Sequence, residues 1–154
     1  MYERILVAVD GSQPSNTGLD EAIRLARLTG GRLRLVHVVD QLPFVLSAEG
    51  YGAMSADVLG LLNEAGQKIL ADARNRVEAA GVSADTRLHE SLSGRLCERV
   101  AAEALEWEAD LLVLGTHGRR GIRRAFLGSD AEQILRTAPV PVLLVRERGA
   151  EVPA

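Results

Sequence analysis

Short apolar runs alternate along the chain with longer segments whose apolar residues recur every three or four positions. The runs are typical of buried strands, and the spaced segments predict amphipathic helices. The predicted strands are residues 4–10, 33–39, 84–90, 110–115 and 140–146. The predicted helices carry their apolar stripes within residues 19–26, 58–80, 96–107 and 131–138. Because each helix follows a strand, we expect parallel strands joined by right-handed crossovers.

The polarity of each strand predicts its place in the sheet. The first and fourth strands are almost wholly apolar, which favours central positions, whereas the third alternates polar and apolar residues as an edge strand does. We therefore expect the α/β class: a single doubly wound five-stranded parallel sheet in the order 3-2-1-4-5, Rossmann-like or flavodoxin-like, with helices on both faces. One domain is expected over residues 1–147, followed by a disordered tail over residues 148–154.

Two local patterns refine this outline. Residues 41–53 show no periodicity and contain Pro43, Gly50 and Gly52, which predicts a mobile loop. Ser93 and Ser129 stand just before the last two helical stripes, so each is a predicted helix N-cap.

Composition excludes several classes of protein. The chain has 154 residues, of which 47% are hydrophobic and 25% charged, as in ordinary globular domains and unlike disordered or coiled-coil sequences. The net charge of −3 gives no general attraction to nucleic acid or to an anionic membrane. Cys97 is the one cysteine, no segment resembles a signal peptide, and no apolar run approaches the roughly 20 residues that span a membrane. We therefore expect a cytoplasmic protein.

A doubly wound sheet binds ligands beyond the carboxyl ends of the strands at its switch point, here the first and fourth strands. The first strand ends at Asp10. The fourth is followed by the pattern Gly115-x2-Gly118-x9-Gly128-Ser129. Glycines let backbone amides approach a phosphate, and the N-terminus of a helix favours an anion. The pattern therefore predicts a phosphate-binding site, although glycines at these positions are also compatible with ordinary turns.

Affinity requires more than a phosphate site. Micromolar binding corresponds to about −8 kcal/mol, and an exposed helix terminus contributes only about 0.3–1 kcal/mol. We therefore expect apolar contact with an adenine-sized group from Ala8, Val38 and Leu114. Four arginines, at positions 119, 120, 123 and 124, lie between Gly118 and Gly128 and are predicted to belong to a flap over the anion. Arg119 is the predicted phosphate contact among them.

The glycine pattern and its flanking strands resemble those of the universal stress protein (UspA-like) family. The segments that carry the resemblance are Ile-Leu-Val-Ala-Val-Asp-Gly-Ser at 5–12, Val-His-Val-Val-Asp at 36–40, Asp-Leu-Leu-Val-Leu-Gly-Thr-His-Gly at 110–118 and Ala-Pro-Val-Pro-Val-Leu-Leu-Val-Arg at 138–146. For members with this signature the resemblance implies a homodimer and ATP bound with a divalent metal such as Mg²⁺. By matching position, it implies that Ala8, Val9 and Val38 line the adenine and that Asp10 faces the ribose or the metal.

The predicted site combines the pattern and the resemblance. The nucleotide-binding residues expected from them are Ala8, Val9, Asp10, Val38, Leu114, Gly115, Gly118, Arg119, Gly128, Ser129 and Asp130. Asp10 is also the predicted metal ligand. Asp130 departs from the family pattern, in which the residue after the serine is commonly small and apolar. A carboxylate about 4 Å from a phosphate oxygen costs on the order of 4 kcal/mol per unit charge at an effective dielectric near 20. Either Asp130 turns away and contributes only its amide, or a metal or a flap arginine pairs with it, or ATP binding is weakened.

These features favour an ATP-binding regulatory homodimer of the stress response, in which nucleotide occupancy modulates the binding of protein partners. We find no catalytic nucleophile, no assigned general base and no Gly-Lys-Ser/Thr loop. A slow ATP hydrolase or nucleotidyl-transfer enzyme on the same site remains an alternative, as does a dimeric interaction module that binds no nucleotide. The choice among ATP, ADP, AMP and a cyclic nucleotide also stays open.

The last strand predicts the dimer interface independently. Residues Val140 to Arg146 are too apolar for an open sheet edge, which would invite aggregation. We expect this strand to pair with its copy in a second chain about a two-fold axis.

Overall fold

One parallel sheet of five strands forms the centre of the structure, a computed structural model that describes residues 1–43, 46, 56–93, 95–116 and 127–147. The strands are β1 (Arg4–Ala8), β2 (Arg32–Asp40), β3 (Ala84–Ser91), β4 (Leu111–Gly115) and β5 (Val142–Val145). Their order is β3-β2-β1-β4-β5, and every neighbouring pair is parallel. The predicted sheet is confirmed, with β1 at its centre and the half-polar β3 at an edge.

Helices cover both faces of this sheet. They are α1 (Gln13–Thr29), α2 (Ala56–Ala79), α3 (Leu96–Glu106) and α4 (Ser129–Thr137). Successive residues of β1 point to opposite faces, so Ile5 joins a core with α1 and α2, whereas Leu6 joins a second core with α3 and α4. The doubly wound arrangement follows from this alternation. No helix within the described residues is long and apolar enough to span a membrane.

The structure corrects two local predictions, and a third concerns residues outside the described part of the chain. α3 has Arg95 as its N-cap and no side-chain cap, so the prediction for Ser93 is wrong. Ser93 instead lies in a turn two residues earlier, where its hydroxyl accepts from the Arg95 amide at 3.4 Å. In the predicted loop 41–53, positions 42, 43 and 46 are helical, and positions 44–45 and 47–53 lie outside the described residues. The predicted tail, residues 148–154, also lies outside them.

A buried carboxylate fixes α3 against the sheet. Glu103 is only 3% exposed, and it accepts hydrogen bonds from Arg34 Nη1 at 2.8 Å and pairs with His89 Nε2 at 2.7 Å. Arg34 also donates to Asp85, and its guanidinium lies 4.8 Å from the centre of the Trp107 ring. The hydrogen bond to Asp85, followed by that to Glu103, raises the pKa of Arg34 above its ordinary value despite partial burial. One charged cluster thus joins α3 to β2 and β3.

Candidate functional site

A cavity of about 410 Å³ opens beyond the carboxyl ends of β1, β2 and β4. This is the switch point of the sheet, because the chain leaves β1 towards β2 on one side and β4 lies on the other. Nine of the predicted site residues line the cavity: Ala8, Val9, Asp10, Val38, Leu114, Gly115, Gly128, Ser129 and Asp130. Gly118 and Arg119 lie outside the described residues. The fold therefore brings the turn after β1 and the start of α4 to one cavity, while the ligand roles of these residues stay predictions.

The turn after β1 is held by hydrogen bonds within the chain. Asp10 Oδ1 accepts from the Ser12 amide at 2.8 Å, and the Asp10 amide donates to Ser15 Oγ at 3.1 Å. Gly11 has a φ of 78°, the left-handed conformation that glycine adopts without strain. Ser12 is the N-cap of α1, and its hydroxyl accepts from the Ser15 amide. Asp10 thus stands at the cavity in a fixed turn, with the N-terminus of α1 already capped.

Gly115 is required for helix packing. A Cβ at this position would lie 2.5 Å from the carbonyl carbon of Pro14 and 2.9 Å from the amide nitrogen of Ser15. These are backbone atoms of the first turn of α1, which cannot rotate away. The missing Cβ therefore makes room for α1, and close approach to a phosphate is not needed to explain the glycine. The predicted phosphate contact of Gly115 remains untested.

The N-terminus of α4 differs from that of α1. Its N-cap is Gly128, which has no side chain to accept a hydrogen bond, so the predicted N-cap role of Ser129 is wrong. The Gly128 amide donates to Thr116 O at 3.0 Å, which ties the start of α4 to the end of β4 and places Ser129 inside the helix. The first bond of the helix runs from the Glu132 amide to Gly128 O at 2.9 Å. The amides of residues 129–131 therefore have no acceptor within the helix.

Apolar side chains from three helices form much of the cavity wall, and the sequence patterns did not assign them to the site. Those from α2, α3 and α4 are Leu62, Ala65, Ile69, Leu96, Val100, Ala131 and Ile134. Gly66 lets α2 lie close to the sheet, because a Cβ there would meet Leu88 Cδ1 at 2.8 Å and His37 Cδ2 at 3.0 Å. An amphipathic stripe identifies the buried face of a helix, but it does not say which residues of that face extend beyond the strand ends.

His37 completes the wall between β1 and β2. Its Nδ1 lies 2.8 Å from Val9 O, and because a carbonyl only accepts, Nδ1 carries the proton. The bond joins the ends of the two strands where the cavity opens. The ring orientation is therefore set by the backbone of β1.

The donor set of the cavity fits a divalent cation only in part. Within the described residues no group of three or more His, Cys, Asp or Glu side chains is placed to hold a metal. Mg²⁺ commonly takes one or two carboxylates and completes its coordination with water and substrate phosphates. Asp10 at the cavity edge fits the first of these roles. The described residues are thus compatible with a cation held jointly with a bound phosphate and not with an all-protein metal centre.

Comparison with known proteins identifies the family. The model of the universal stress protein family matches residues 1–146. A universal stress protein of Methanocaldococcus jannaschii is 35% identical over 152 residues, which cover 98% of this chain and 86% of the relative.

Solved structures agree. A protein of the universal stress protein family from Burkholderia pseudomallei has a TM-score of 0.75 at 35% identity, covering 94% of this chain and 96% of that one. A universal stress protein solved in complex with cAMP has a TM-score of 0.69 at 27% identity, covering 94% and 97%. The chain therefore belongs to the universal stress protein family.

Proposed function

We propose that the chain is a regulatory adenine-nucleotide-binding protein that takes ATP with Mg²⁺ and acts as a homodimer. The observation that carries the proposal is the uncapped N-terminus of α4 at the edge of an apolar cavity. An anion there receives hydrogen bonds from amides that have no acceptor within the helix, and the helix dipole favours its charge. Nucleotide occupancy then changes the surface around the cavity and so modulates the binding of protein partners.

The cavity suits the base of a nucleotide. Its volume of about 410 Å³ lies within the roughly 300–1,000 Å³ of small-molecule sites. Ala8, Val38 and Leu114 line it on the face of the sheet that α3 covers. Burial of apolar surface contributes roughly 25 cal/mol per Å², so contact with the base adds to the about 0.3–1 kcal/mol that a helix terminus contributes. A relative 27% identical to this chain was solved with cAMP, which supports an adenine ligand.

Asp10 is the proposed ligand of the cation. Its place at the end of β1, at the same cavity as the start of α4, suits a cation that also contacts the phosphates. When bound, Mg²⁺ neutralises phosphate charge. Ser129 holds the phosphate through its backbone amide, whereas Gly128, whose own amide donates to Thr116 O, leaves room for it by its missing side chain. Gly118 and Arg119, outside the described residues, are proposed to complete the site.

A variant at the helix start tests this function. Gly128→Asp supplies the missing N-cap, because the φ of −57° and ψ of 148° at Gly128 suit a capping residue. The new carboxylate occupies the amides that the phosphate would use. We expect calorimetric titration with Mg-ATP to give micromolar binding to the native chain and none to Gly128→Asp, whose melting temperature should not fall. Ser83→Asp, an exposed change at the opposite end of the sheet, is the control that keeps binding. Absence of heat with the native chain would end the proposal.

The proposed dimer forms through β5, the edge strand beside β4. Pro141 O accepts from the Leu112 amide of β4, and Val145 O accepts from the Thr116 amide just after β4. Because backbone groups alternate along a strand, those of Val142 and Leu144 face the open edge and can pair with a second copy. Leu144→Pro removes an outward amide, whereas Leu144→Ala keeps it and loses a similar packing contact. We expect sedimentation to give a monomer for the first variant and a dimer for the second; a native monomer at micromolar concentration contradicts the interface.

A further inference from the structure

Every charged side chain among the described residues that line the cavity is acidic: Asp10, Asp40 and Asp130. Asp10 accepts from the Ser12 amide at 2.8 Å, and Asp40 accepts from the Leu42 amide at 3.0 Å. Both carboxylates are thus held by the turn that follows their strand. Asp130 stands elsewhere, in the first turn of α4, beside the amides to which the proposed function assigns the phosphate.

The described residues of α4 exert two opposing fields on a phosphate at the start of this helix. The helix N-terminus is equivalent to roughly half a positive charge, whereas the Asp130 carboxylate carries a full negative one. Asp130 is exposed, so solvent and salt weaken the repulsion without removing it at close range. Each additional phosphate group adds charge of the sign that Asp130 repels. The penalty therefore increases from a nucleotide with one phosphate diester to a triphosphate.

We infer that Asp130 makes this site select adenine nucleotides by charge. A nucleotide with a single phosphate binds equally well with or without a cation, whereas a polyphosphate binds more tightly together with a divalent cation that neutralises its charge. The inference rests on the proposed function and specifies its ligand: the Mg-ATP complex is preferred over free ATP. Asp130 is the specificity-determining residue: an aspartate in place of the small apolar residue common in the family changes which nucleotide the site prefers.

The test is calorimetric titration of the full chain with ATP and with cAMP, each in EDTA and in excess MgCl₂. For the native chain, ATP should bind at least about tenfold more weakly in EDTA, equivalent to about 1.4 kcal/mol, while cAMP changes by less than about threefold. Asp130→Asn should raise the affinity for ATP in EDTA by about tenfold and the affinity for cAMP by less than about threefold. Glu132→Gln is the matched control, because Glu132 lies in the same helical turn but pairs with Arg136 at 2.7 Å and does not line the cavity.

The outcomes separate the inference from the function on which it rests. Equal ATP affinity in EDTA and in MgCl₂ for the native chain overturns the inference, since free ATP is then bound as well as its magnesium complex. An equal gain in Asp130→Asn and Glu132→Gln also overturns it, because the effect would come from net charge and not from the position of Asp130. If neither nucleotide binds the native chain in either buffer, the proposed function fails as well.

Discussion

Replacement of Gly115 by alanine tests how the site is built. The added Cβ would meet the backbone of Pro14 and Ser15, with the carbonyl carbon of Pro14 only 2.5 Å away. Carbon atoms in contact prefer a distance of about 3.5–4.0 Å, so the added Cβ and the Pro14 carbonyl carbon must move apart by about 1 Å or more. No side chain can rotate to provide it, and the first turn of α1 must move away from β4.

The expected loss of stability follows from these distances. Overpacking of a close contact costs about 1–3 kcal/mol, and the backbone nature of the clash favours the upper part of that range. Alanine also lowers the conformational entropy of the unfolded chain, which offsets about 0.4–1 kcal/mol of the lost stability. We expect Gly115→Ala to lower the free energy of unfolding by about 2 kcal/mol, which corresponds to a fall in melting temperature of about 4–8 °C at this chain length.

Urea unfolding without nucleotide measures this loss, and Gly60→Ala is the matched control. Gly60 lies on the exposed side of α2, and a Cβ there has nothing within 4 Å. The control should gain about 0.5–1 kcal/mol from better helix propensity. If Gly115→Ala is as stable as the native chain, then α1 packing does not require the glycine. A role confined to phosphate approach would give that result.

Two further substitutions test the supports of the site. Ser12→Ala removes the cap of α1 and should lower the free energy of unfolding in urea by about 0.5–2 kcal/mol. Its control, Ser83→Ala, changes an exposed serine that caps no helix and should leave the unfolding midpoint unchanged. Equal midpoints for the two variants would refute the cap. Glu103→Gln should lower the free energy of unfolding by about 2–4 kcal/mol. This is less than the full cost of breaking a buried ion pair, because Arg34 keeps its hydrogen bonds to Asp85. Its control, Glu98→Gln, breaks only an exposed pair with Arg95, and similar losses in both would show that burial of Glu103 is energetically unimportant.

Much of the fold was predictable because local polarity reflects burial. The alternation in β3 predicted its edge position, and the apolar runs of β1 and β4 predicted the switch point at which the cavity lies. The N-cap of α4 was less predictable. Serine is the better capping residue, yet the hydrogen bond that the Gly128 amide donates to Thr116 O starts the helix one residue earlier, and this tertiary contact outweighs the local preference.

Buried polar clusters and close contacts between elements could not be predicted from the sequence. Glu103 lies in an otherwise apolar helical stripe, and its partners Arg34 and His89 come from strands more than ten residues away, so no local pattern indicated the cluster. No local pattern indicated that position 66 must be glycine either, because the requirement comes from side chains on two strands that α2 crosses. Such contacts depend on where elements pack and not on their own composition.

The sequence by itself determined the order of the strands, the faces that the helices bury and the edge at which a ligand site opens, because hydrophobic periodicity and chain connectivity are properties of the sequence. Only the tertiary structure decided that α4 begins at Gly128 without a side-chain cap, why position 115 must be glycine and that the described charges around the cavity are all carboxylates. Those properties depend on distances between atoms far apart in the chain, which exist only once the sheet and its helices have packed.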